Sequence, residues 1–169
     1  MDKMSPEQLK PYLSRVKLLA LDVDGVMTDG GLYYTDTGEE LKQFNVKDGM
    51  GIKLVMERGL VVAIITNSTS NSVIHRAKKL GITHLFMGVE DKLAVLQNLC
   101  SKLEISLEEV AYVGDDVNDL AVLKAVGCPL TVADAIASNQ DAAIYITERP
   151  GGRGAVREVC DLLLESQVS

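Results

Sequence analysis

Short apolar runs rich in β-branched residues alternate with amphipathic segments along most of the chain, and this alternation constrains the fold more than any other feature. Parallel strands need a long crossover connection, usually a helix, so the alternation indicates a parallel sheet covered by helices. The run from Val16 to Val23 contains few polar residues, which is typical of a central strand buried on both faces. We therefore predict a three-layer α/β fold with a central parallel sheet.

Capping and turn residues mark the ends of the predicted elements. Ser5, followed by Pro6 and Gln8, predicts a helix that ends near Leu13, and Gly59 and Gly81 stand where helices commonly end. The predicted helices cover residues 6–13, 49–58, 70–80, 91–103, 116–125 and 155–165. The predicted strands cover residues 16–23, 61–66, 84–87, 110–113, 130–132 and 143–146.

A predicted β-hairpin interrupts the alternation at residues 31–44. Two strand-like runs, 31–35 and 39–44, are joined by Asp36-Thr37-Gly38, where glycine supplies a positive φ. A lone hairpin is only marginally stable in water, so its apolar side chains need a covering surface. We favour a second copy of the chain over the hairpin's own domain as that surface. The side chains concerned are Leu32, Tyr33, Tyr34, Leu41 and Phe44.

Length and charge exclude several classes of protein. A chain of 169 residues with 47% hydrophobic residues is expected to form one domain, residues 1–169, with no internal repeat or linker. The net charge of −7 argues against nucleic acid or an anionic membrane surface as a partner. No apolar run approaches the roughly 20 residues of a membrane span.

Two observations favour a cytoplasmic location. The first residues lack the charged and then apolar layout of a signal peptide. Cys100, Cys128 and Cys160 are far apart and odd in number, which indicates reduced packing residues rather than disulfides or a zinc site.

Polar residues stand at the predicted carboxyl ends of successive strands, where open α/β sheets bind their ligands. Asp22 and Asp24 follow the first strand, and Thr66 ends the next. Lys92 begins the helix after the third strand, and Asp115 follows the strand at 110–113. Each residue alone has an ordinary structural explanation, but the ordered set predicts a site for a divalent cation and a phosphoryl group.

The residue types suit phosphoryl transfer. Asp22 can attack phosphorus as a carboxylate nucleophile, and Asp24 can protonate the leaving oxygen and then activate water. Asp115 and the other carboxylates offer the hard oxygen ligands that Mg²⁺ accepts. Lys92 can neutralise the phosphate, and the Thr66 hydroxyl can donate a hydrogen bond to it.

The chain resembles the haloacid-dehalogenase phosphatase superfamily in four motifs, Asp22–Gly30, Ile64–Thr66, Asp91-Lys92 and Gly114–Asp119. Within it, the chain is similar to the phosphatases of 3-deoxy-D-manno-octulosonate 8-phosphate, from about residue 16 to residue 164. The resemblance implies a Rossmann-like fold without a cap domain, Mg²⁺ as the cofactor and hydrolysis of a 2-keto-3-deoxy sugar acid phosphate through an aspartyl-phosphate. It also implies a homotetramer held together by the hairpins.

The resemblance further implies a role for individual residues. Asp22 would be the nucleophile, and Asp24 the acid and base that also gives its backbone carbonyl to the metal. Asp22 and Asp115 would be the other metal ligands, with Asp119 supporting them, while Thr66 and Lys92 would take the phosphate. Arg76 would reach the sugar acid of a neighbouring subunit. The implied substrate-binding residues are Asn45, Val46, Lys47, Asp48, Gly49, Lys53, Asn67, Ser68, Arg76 and Arg153.

The second motif departs from the family pattern. Relatives commonly continue Thr66 with Gly-Arg, whereas this chain has Asn67 and Ser68, so an arginine near the substrate is missing. The loss of one charged partner costs about 1.5–3 kcal/mol of binding and leaves the phosphoryl chemistry untouched. The loop 151–154 offers backbone amides that suit an anion, and its Arg153 favours the eight-carbon sugar acid.

Three alternatives remain open at this point. The substrate can be a nine-carbon, sialic-acid-like 9-phosphate. The chain can be a phospho-acceptor module that resembles a receiver domain, since such modules also combine a parallel sheet with an acidic cluster, Thr and Lys. It can also be a non-catalytic assembly subunit.

Overall fold

A parallel sheet of six strands forms the centre of the computed structural model, which describes residues 3–167. Residues 1, 2, 168 and 169 of the predicted domain lie outside this range. The strand order is β5-β4-β1-β6-β7-β8, so β1 lies inside the sheet with β4 and β6 on either side. The sheet strands are β1 (Leu18–Leu21), β4 (Val61–Ile65), β5 (His84–Phe86), β6 (Val110–Val113), β7 (Cys128–Thr131) and β8 (Tyr145–Ile146). The predicted α/β fold is confirmed.

Helices cover both faces of the sheet, and each face has its own apolar core. In β1, Leu19 and Leu21 point to the core shared with α1, α2, α3 and α7. Leu18 and Ala20 point to the opposite core, shared with α4 and α5. This alternation explains why the first strand carries apolar residues at every position. The helices are α1 (Pro6–Leu13), α2 (Val46–Glu57), α3 (Asn71–Leu80), α4 (Lys92–Leu103), α5 (Leu120–Leu123), α6 (Ala137–Ala142) and α7 (Ala155–Ser166).

Several element boundaries differ from the sequence prediction. Helix α2 begins at Val46 and not at Gly49, because the Asn45 side chain accepts hydrogen bonds from the backbone amides of Lys47 and Asp48, at 2.8 and 3.1 Å. The sequence analysis missed α6, whose first residue follows Ile136, a residue without a capping side chain. The predicted helix 116–125 is a 3₁₀ turn, Val117–Asp119, followed by the short α5.

The predicted hairpin is present but short. It consists of β2 (Tyr33–Tyr34) and β3 (Glu40–Leu41), with Tyr33 opposite Leu41, and Gly38 in the turn has a φ of 87°. Leu32, Tyr33, Tyr34 and Leu41 are between 48% and 64% exposed. Within the described chain, therefore, the domain leaves these four side chains uncovered, whereas the fifth predicted side chain, Phe44, is partly buried against the domain's core.

Among residues 3–167, no helix has both the length and the apolar character needed to cross a bilayer.

Candidate active site

The carboxyl ends of β1, β4 and β6 open into a cavity of about 490 Å³. Gly25 turns the chain away from β1 with a φ of 83°, and a side chain there would collide with the Asp115 carboxylate. Pairing of β1 with β6 brings their ends together, and glycine at residue 25 supplies both the left-handed turn and the room for Asp115 beside it. The lining residues are Asp22, Asp24, Gly25, Gly30, Leu32, Glu40, Lys42, Thr66, Asn67, Ser68, Thr69, Asp115, Asp116 and Asn118.

A buried ion-pair network lies below the floor of this cavity. Lys92 is 2% exposed, and its Nζ lies 3.0 Å from Asp22 Oδ1 and 2.7 Å from Asp119 Oδ1. The Tyr112 hydroxyl, also buried, donates to the same Asp119 oxygen at 2.5 Å. The other Asp119 oxygen accepts from the Asp115 backbone amide at 3.0 Å. Asp119 thus fixes both the lysine beside Asp22 and the loop that carries Asp115.

The acidic residues at the site form a donor set for a hard cation. Carboxylate oxygens of Asp22, Asp115 and Asp119 lie within 4.8 Å of one another. Asp115 Oδ1 is buried without a hydrogen-bond partner, so it is an acceptor that a cation would satisfy. Both Asp119 oxygens already accept hydrogen bonds, which leaves Asp22 and Asp115 as the available side-chain ligands. The residues present therefore fit Mg²⁺.

Burial changes the titration of the groups in this cluster. Burial, and next the Asp119 carboxylate, raises the pKa of Asp22 to about 7 despite the nearby Lys92. Burial, with Asp119 and Asp116, raises the pKa of Asp115 to about 7 as well. Burial alone would lower the pKa of Lys92, but the carboxylates of Asp22 and Asp119 outweigh it and raise that pKa. The lysine therefore stays charged, while the carboxylates of Asp22 and Asp115 are each repelled by the carboxylate of Asp119.

These pKa values predict a pH-dependent stabilisation by Mg²⁺. Asp22 and Asp115 titrate near pH 7 when folded but near the ordinary value of about 3.9 when unfolded. The folded state then binds more protons between these values, so the metal-free protein loses stability as the pH rises from about 4 to 7. Mg²⁺ binds the charged carboxylates, so at about 100 times its Kd we expect it to raise Tm by roughly 5–10 °C at pH 8 and by less at pH 5.

Differential scanning calorimetry with Mg²⁺ or EDTA at the two pH values measures this effect. In Asp115→Asn, most of the rise in Tm caused by Mg²⁺ at pH 8 should be lost. Asp141→Asn, which changes an exposed carboxylate, should keep that rise. Equal gains at both pH values would contradict the raised pKa values.

The segment after β4 contributes neutral polar groups to the cavity. The buried Thr66 accepts a hydrogen bond from the Ser68 backbone amide at 3.0 Å, which leaves its hydroxyl hydrogen free to donate to a ligand. Asn67 donates to the Val89 carbonyl at 3.2 Å, and Ser68 Oγ accepts from the Ser70 amide at 3.2 Å. Asn67 and Ser68 thus line the cavity without bringing a charge to it.

The remaining predicted substrate residues lie outside this cavity. Asn45, Val46, Lys47 and Arg153 line a separate cavity of about 900 Å³, near the start of α7. Arg76 donates to the Asn45 carbonyl at 2.9 Å and lies 5.6 Å from the centre of the Phe44 ring. Asp48 and Gly49 are buried in α2, and Lys53 lines a third, shallow cavity. A single chain therefore does not bring these residues to Asp22.

Asp48 caps a different helix from its own. Its buried Oδ1 accepts a hydrogen bond from the backbone amide of Arg157 at 2.9 Å, within the first turn of α7. The amides of Gly151 and Gly152 donate to Asp134 Oδ1 and to the Val26 carbonyl, at 2.9 and 3.0 Å. The Arg153 amide donates to the Pro150 carbonyl at 3.2 Å. The expectation of free amides for an anion is therefore wrong for residues 151–153, whose donors are occupied.

The sequence analysis missed three polar residues at the site, Lys42, Glu40 and Tyr112. Lys42 Nζ lies 2.6 Å from Asp24 Oδ1 and 3.1 Å from Glu40 Oε2. The sequence predicts Tyr112 only as part of a strand, whereas its hydroxyl contacts Asp119. Alternation along the predicted strand 39–44 places Glu40 and Lys42 on one face, which is a usable signal. Nothing in the sequence shows that this face turns toward the sheet.

Comparison with known proteins identifies relatives over nearly the whole chain. Residues 77–158 match the family of haloacid dehalogenase-like hydrolases. The 3-deoxy-D-manno-octulosonate 8-phosphate phosphatase KdsC of Escherichia coli K12 is 51% identical over 152 residues, which cover 90% of this chain and 81% of that protein. The Yersinia pestis enzyme of the same name is 48% identical over 154 residues.

Solved structures of octulosonate 8-phosphate phosphatases also superpose on this chain. The 3-deoxy-D-manno-octulosonate 8-phosphate phosphatase of Moraxella catarrhalis, in complex with magnesium, phosphate and KDO, superposes with a TM-score of 0.93 and 41% identity. The alignment covers 95% of this chain and 92% of that one. The cobalt-bound deoxy-D-mannose-octulosonate 8-phosphate phosphatase of Haemophilus influenzae gives a TM-score of 0.89 at 37% identity, over 92% and 91% of the two chains.

Proposed function

This chain belongs to the haloacid dehalogenase-like hydrolases, in the family of the 3-deoxy-D-manno-octulosonate 8-phosphate phosphatases, and we propose that it hydrolyses that phosphate with Mg²⁺. One observation carries the proposal: Asp22 lies between the buried Lys92 and Asp115, at the carboxyl edge of a parallel sheet. As a phosphoric monoester hydrolase the chain turns its substrate over, so family membership sets aside the receiver-like module and the non-catalytic subunit.

The first half of the reaction forms a covalent bond at Asp22. A carboxylate oxygen of Asp22 attacks phosphorus, and Asp24 donates a proton to the leaving sugar oxygen. Lys92 and the Thr66 hydroxyl offset the charge of the phosphoryl oxygens. Asp22, Asp115 and the Asp24 carbonyl would hold Mg²⁺, which supplies further neutralisation of charge between the nucleophile and the phosphate.

The second half regenerates the enzyme. Asp24, now a carboxylate, takes a proton from water, and the resulting nucleophile attacks the phosphorus of the aspartyl-phosphate. The Asp22 carboxylate leaves and phosphate is released. Throughout, Asp119 keeps Lys92 in place through the 2.7 Å contact between the two side chains.

The substrate is tested by competition between two sugar acids. We expect higher kcat/KM for 3-deoxy-D-manno-octulosonate 8-phosphate than for a sialic-acid 9-phosphate, with phosphate release abolished by EDTA and restored by Mg²⁺. The nine-carbon alternative is correct if the order is reversed. Good turnover of a generic phosphate ester, with poor turnover of both sugar acid phosphates, would support the phosphatase activity but reject a sugar acid phosphate as the substrate.

The assembly proposed with this function is a homotetramer formed through the hairpins. The exposed Tyr33 and Leu41 lie opposite each other across the hairpin, so they form one apolar patch that needs a cover. Analytical ultracentrifugation should detect four chains per particle, and fewer after the double change Tyr33→Glu and Leu41→Glu. Tyr12→Glu, at an exposed tyrosine of α1, is the matched control. A tetramer that survives the double change would place the interface elsewhere.

A cytoplasmic location remains part of the proposal. Cys100, Cys128 and Cys160 are buried free thiols, which supports a compartment where cysteines stay reduced.

A further inference from the structure

We propose that Lys42, on the hairpin, is a positioning residue that holds Asp24 in the orientation needed for proton transfer. The inference rests on the proposed function, because it assigns Lys42 a role in the step that Asp24 performs there. It makes the hairpin part of the catalytic apparatus of its own chain, in addition to its proposed place between subunits.

The contact between Lys42 and Asp24 is short and covered. Lys42 Nζ donates to Asp24 Oδ1 at 2.6 Å, and the lysine side chain is only 1% exposed, whereas Asp24 is 40% exposed. A salt bridge on an open surface contributes little, because both side chains remain mobile and solvated. Here the lysine is already ordered by its surroundings, so it can restrain the more exposed carboxylate.

A second acid holds Lys42 from the other side. Glu40 Oε2 lies 3.1 Å from Lys42 Nζ, and Glu40 Oε1 accepts from the Tyr34 hydroxyl at 3.0 Å. The chain of contacts Tyr34–Glu40–Lys42–Asp24 therefore runs from the exposed face of the hairpin to the cavity. Lys42 and Glu40 both line that cavity, and thus the hairpin forms one of its walls.

The two carboxylate oxygens of Asp24 have different roles in this arrangement. Lys42 occupies Oδ1, which leaves Oδ2 to exchange a proton with the leaving oxygen and later with water. Asp24 comes after the end of β1, in the turn at Gly25, where a carboxylate without a partner can adopt several rotamers. A fixed orientation matters because a general acid must lie within hydrogen-bond reach of the atom that it protonates.

A positioning role predicts dependence on the leaving group. An alkyl phosphate, including any sugar phosphate, needs protonation of its leaving oxygen, whereas p-nitrophenyl phosphate releases a stabilised phenolate that needs little. General acid–base catalysis contributes about 10²- to 10⁴-fold, and part of this should depend on the orientation of Asp24. For Lys42→Met we therefore expect kcat to fall roughly 10- to 100-fold on the sugar phosphate, at nearly constant KM, and much less on the aryl phosphate.

Two further variants separate this role from a merely structural one. Lys42→Arg keeps a cation near Asp24 and should recover part of kcat. Lys17→Met removes a lysine that also lies 2.6 Å from a carboxylate, Glu109, but at the surface, and it should leave both activities unchanged. If Lys42→Met lowered kcat equally on the aryl and alkyl phosphates, or changed only KM, the inference would be overturned.

A double-mutant cycle provides the decisive comparison. If Lys42 acts through Asp24, then Lys42→Met should have little further effect on alkyl phosphates in an Asp24→Asn background. Independent, multiplying effects would overturn the positioning role. The cycle is measured on 3-deoxy-D-manno-octulosonate 8-phosphate and on ribose 5-phosphate. Turnover of ribose 5-phosphate alone would reject the proposed substrate, while the cycle still decides the role of Lys42. No turnover of any ester would overturn both proposals.

Discussion

Replacement of Asp22 by asparagine is expected to lower kcat for phosphate release by about 10⁴-fold or more, because an amide cannot form the aspartyl-phosphate. The amide oxygen remains a neutral ligand, so Mg²⁺ binding should be weakened and not lost. The folded state should not become less stable, since the buried Asp22 carboxylate faces the Asp119 carboxylate and has a raised pKa. Steady-state kinetics and calorimetry with Mg²⁺ measure the two effects separately.

The control for Asp22→Asn is the same change at an exposed carboxylate. Asp141→Asn should retain full activity, because its side chain lies at the surface away from the cavity. A fully active Asp22→Asn protein would reject Asp22 as the nucleophile. Mass spectrometry of the denatured variant excludes deamidation back to aspartate as the source of residual turnover.

Replacement of Lys92 by methionine is expected to damage both activity and stability. The variant leaves the buried carboxylates of Asp22 and Asp119 without their cation, and the loss of one partner from a buried ion pair costs about 3–5 kcal/mol. The substrate phosphate also loses the positively charged Lys92 side chain as a partner, which should lower kcat by about 10²- to 10³-fold. Urea unfolding and phosphate release measure these losses.

The destabilisation by Lys92→Met should depend on pH. Lys92 lowers the pKa of Asp22, so its removal raises that pKa further above the ordinary value. The folded variant then binds more protons than its unfolded state over a wider range, and stability falls more steeply as the pH rises. We expect the variant to be closer to the unchanged protein at pH 5 than at pH 8. The control is Lys102→Met, at an exposed position of the same helix, which should change neither activity nor stability. If Lys92→Met lost the same stability at both pH values, the result would contradict the ion-pair network of Asp22, Lys92 and Asp119.

Local sequence signals predicted much of the fold. The capping box of Ser5 and Gln8 starts α1, and Gly81 ends α3 in the left-handed conformation, both as expected. Strand β6 has the predicted bounds, Val110–Val113. These elements are defined by neighbours in the sequence, so propensity and capping chemistry suffice to find them.

The candidate site was predictable where topology alone brings residues together. Asp22, Thr66 and Asp115 follow neighbouring parallel strands, so any parallel sheet with this order places them at one edge. Their catalytic roles stay predictions. Lys42 could not be found in this way, since its contact with Asp24 depends on how the hairpin folds over that edge. Likewise, the capping of α7 by Asp48 joins residues more than one hundred positions apart.

The packing of α7 has a consequence for synthesis of the protein. Helix α7 packs against both α1 and α2 and completes the core on one face of the sheet, yet it follows all the strands in the chain. While the ribosome is still making the segment before Ala155, the surfaces of α1 and α2 that pack against α7 stay uncovered. A nascent chain with an uncovered sheet face is prone to aggregation. Stable folding of the N-terminal half therefore has to wait for translation of residues 155–166.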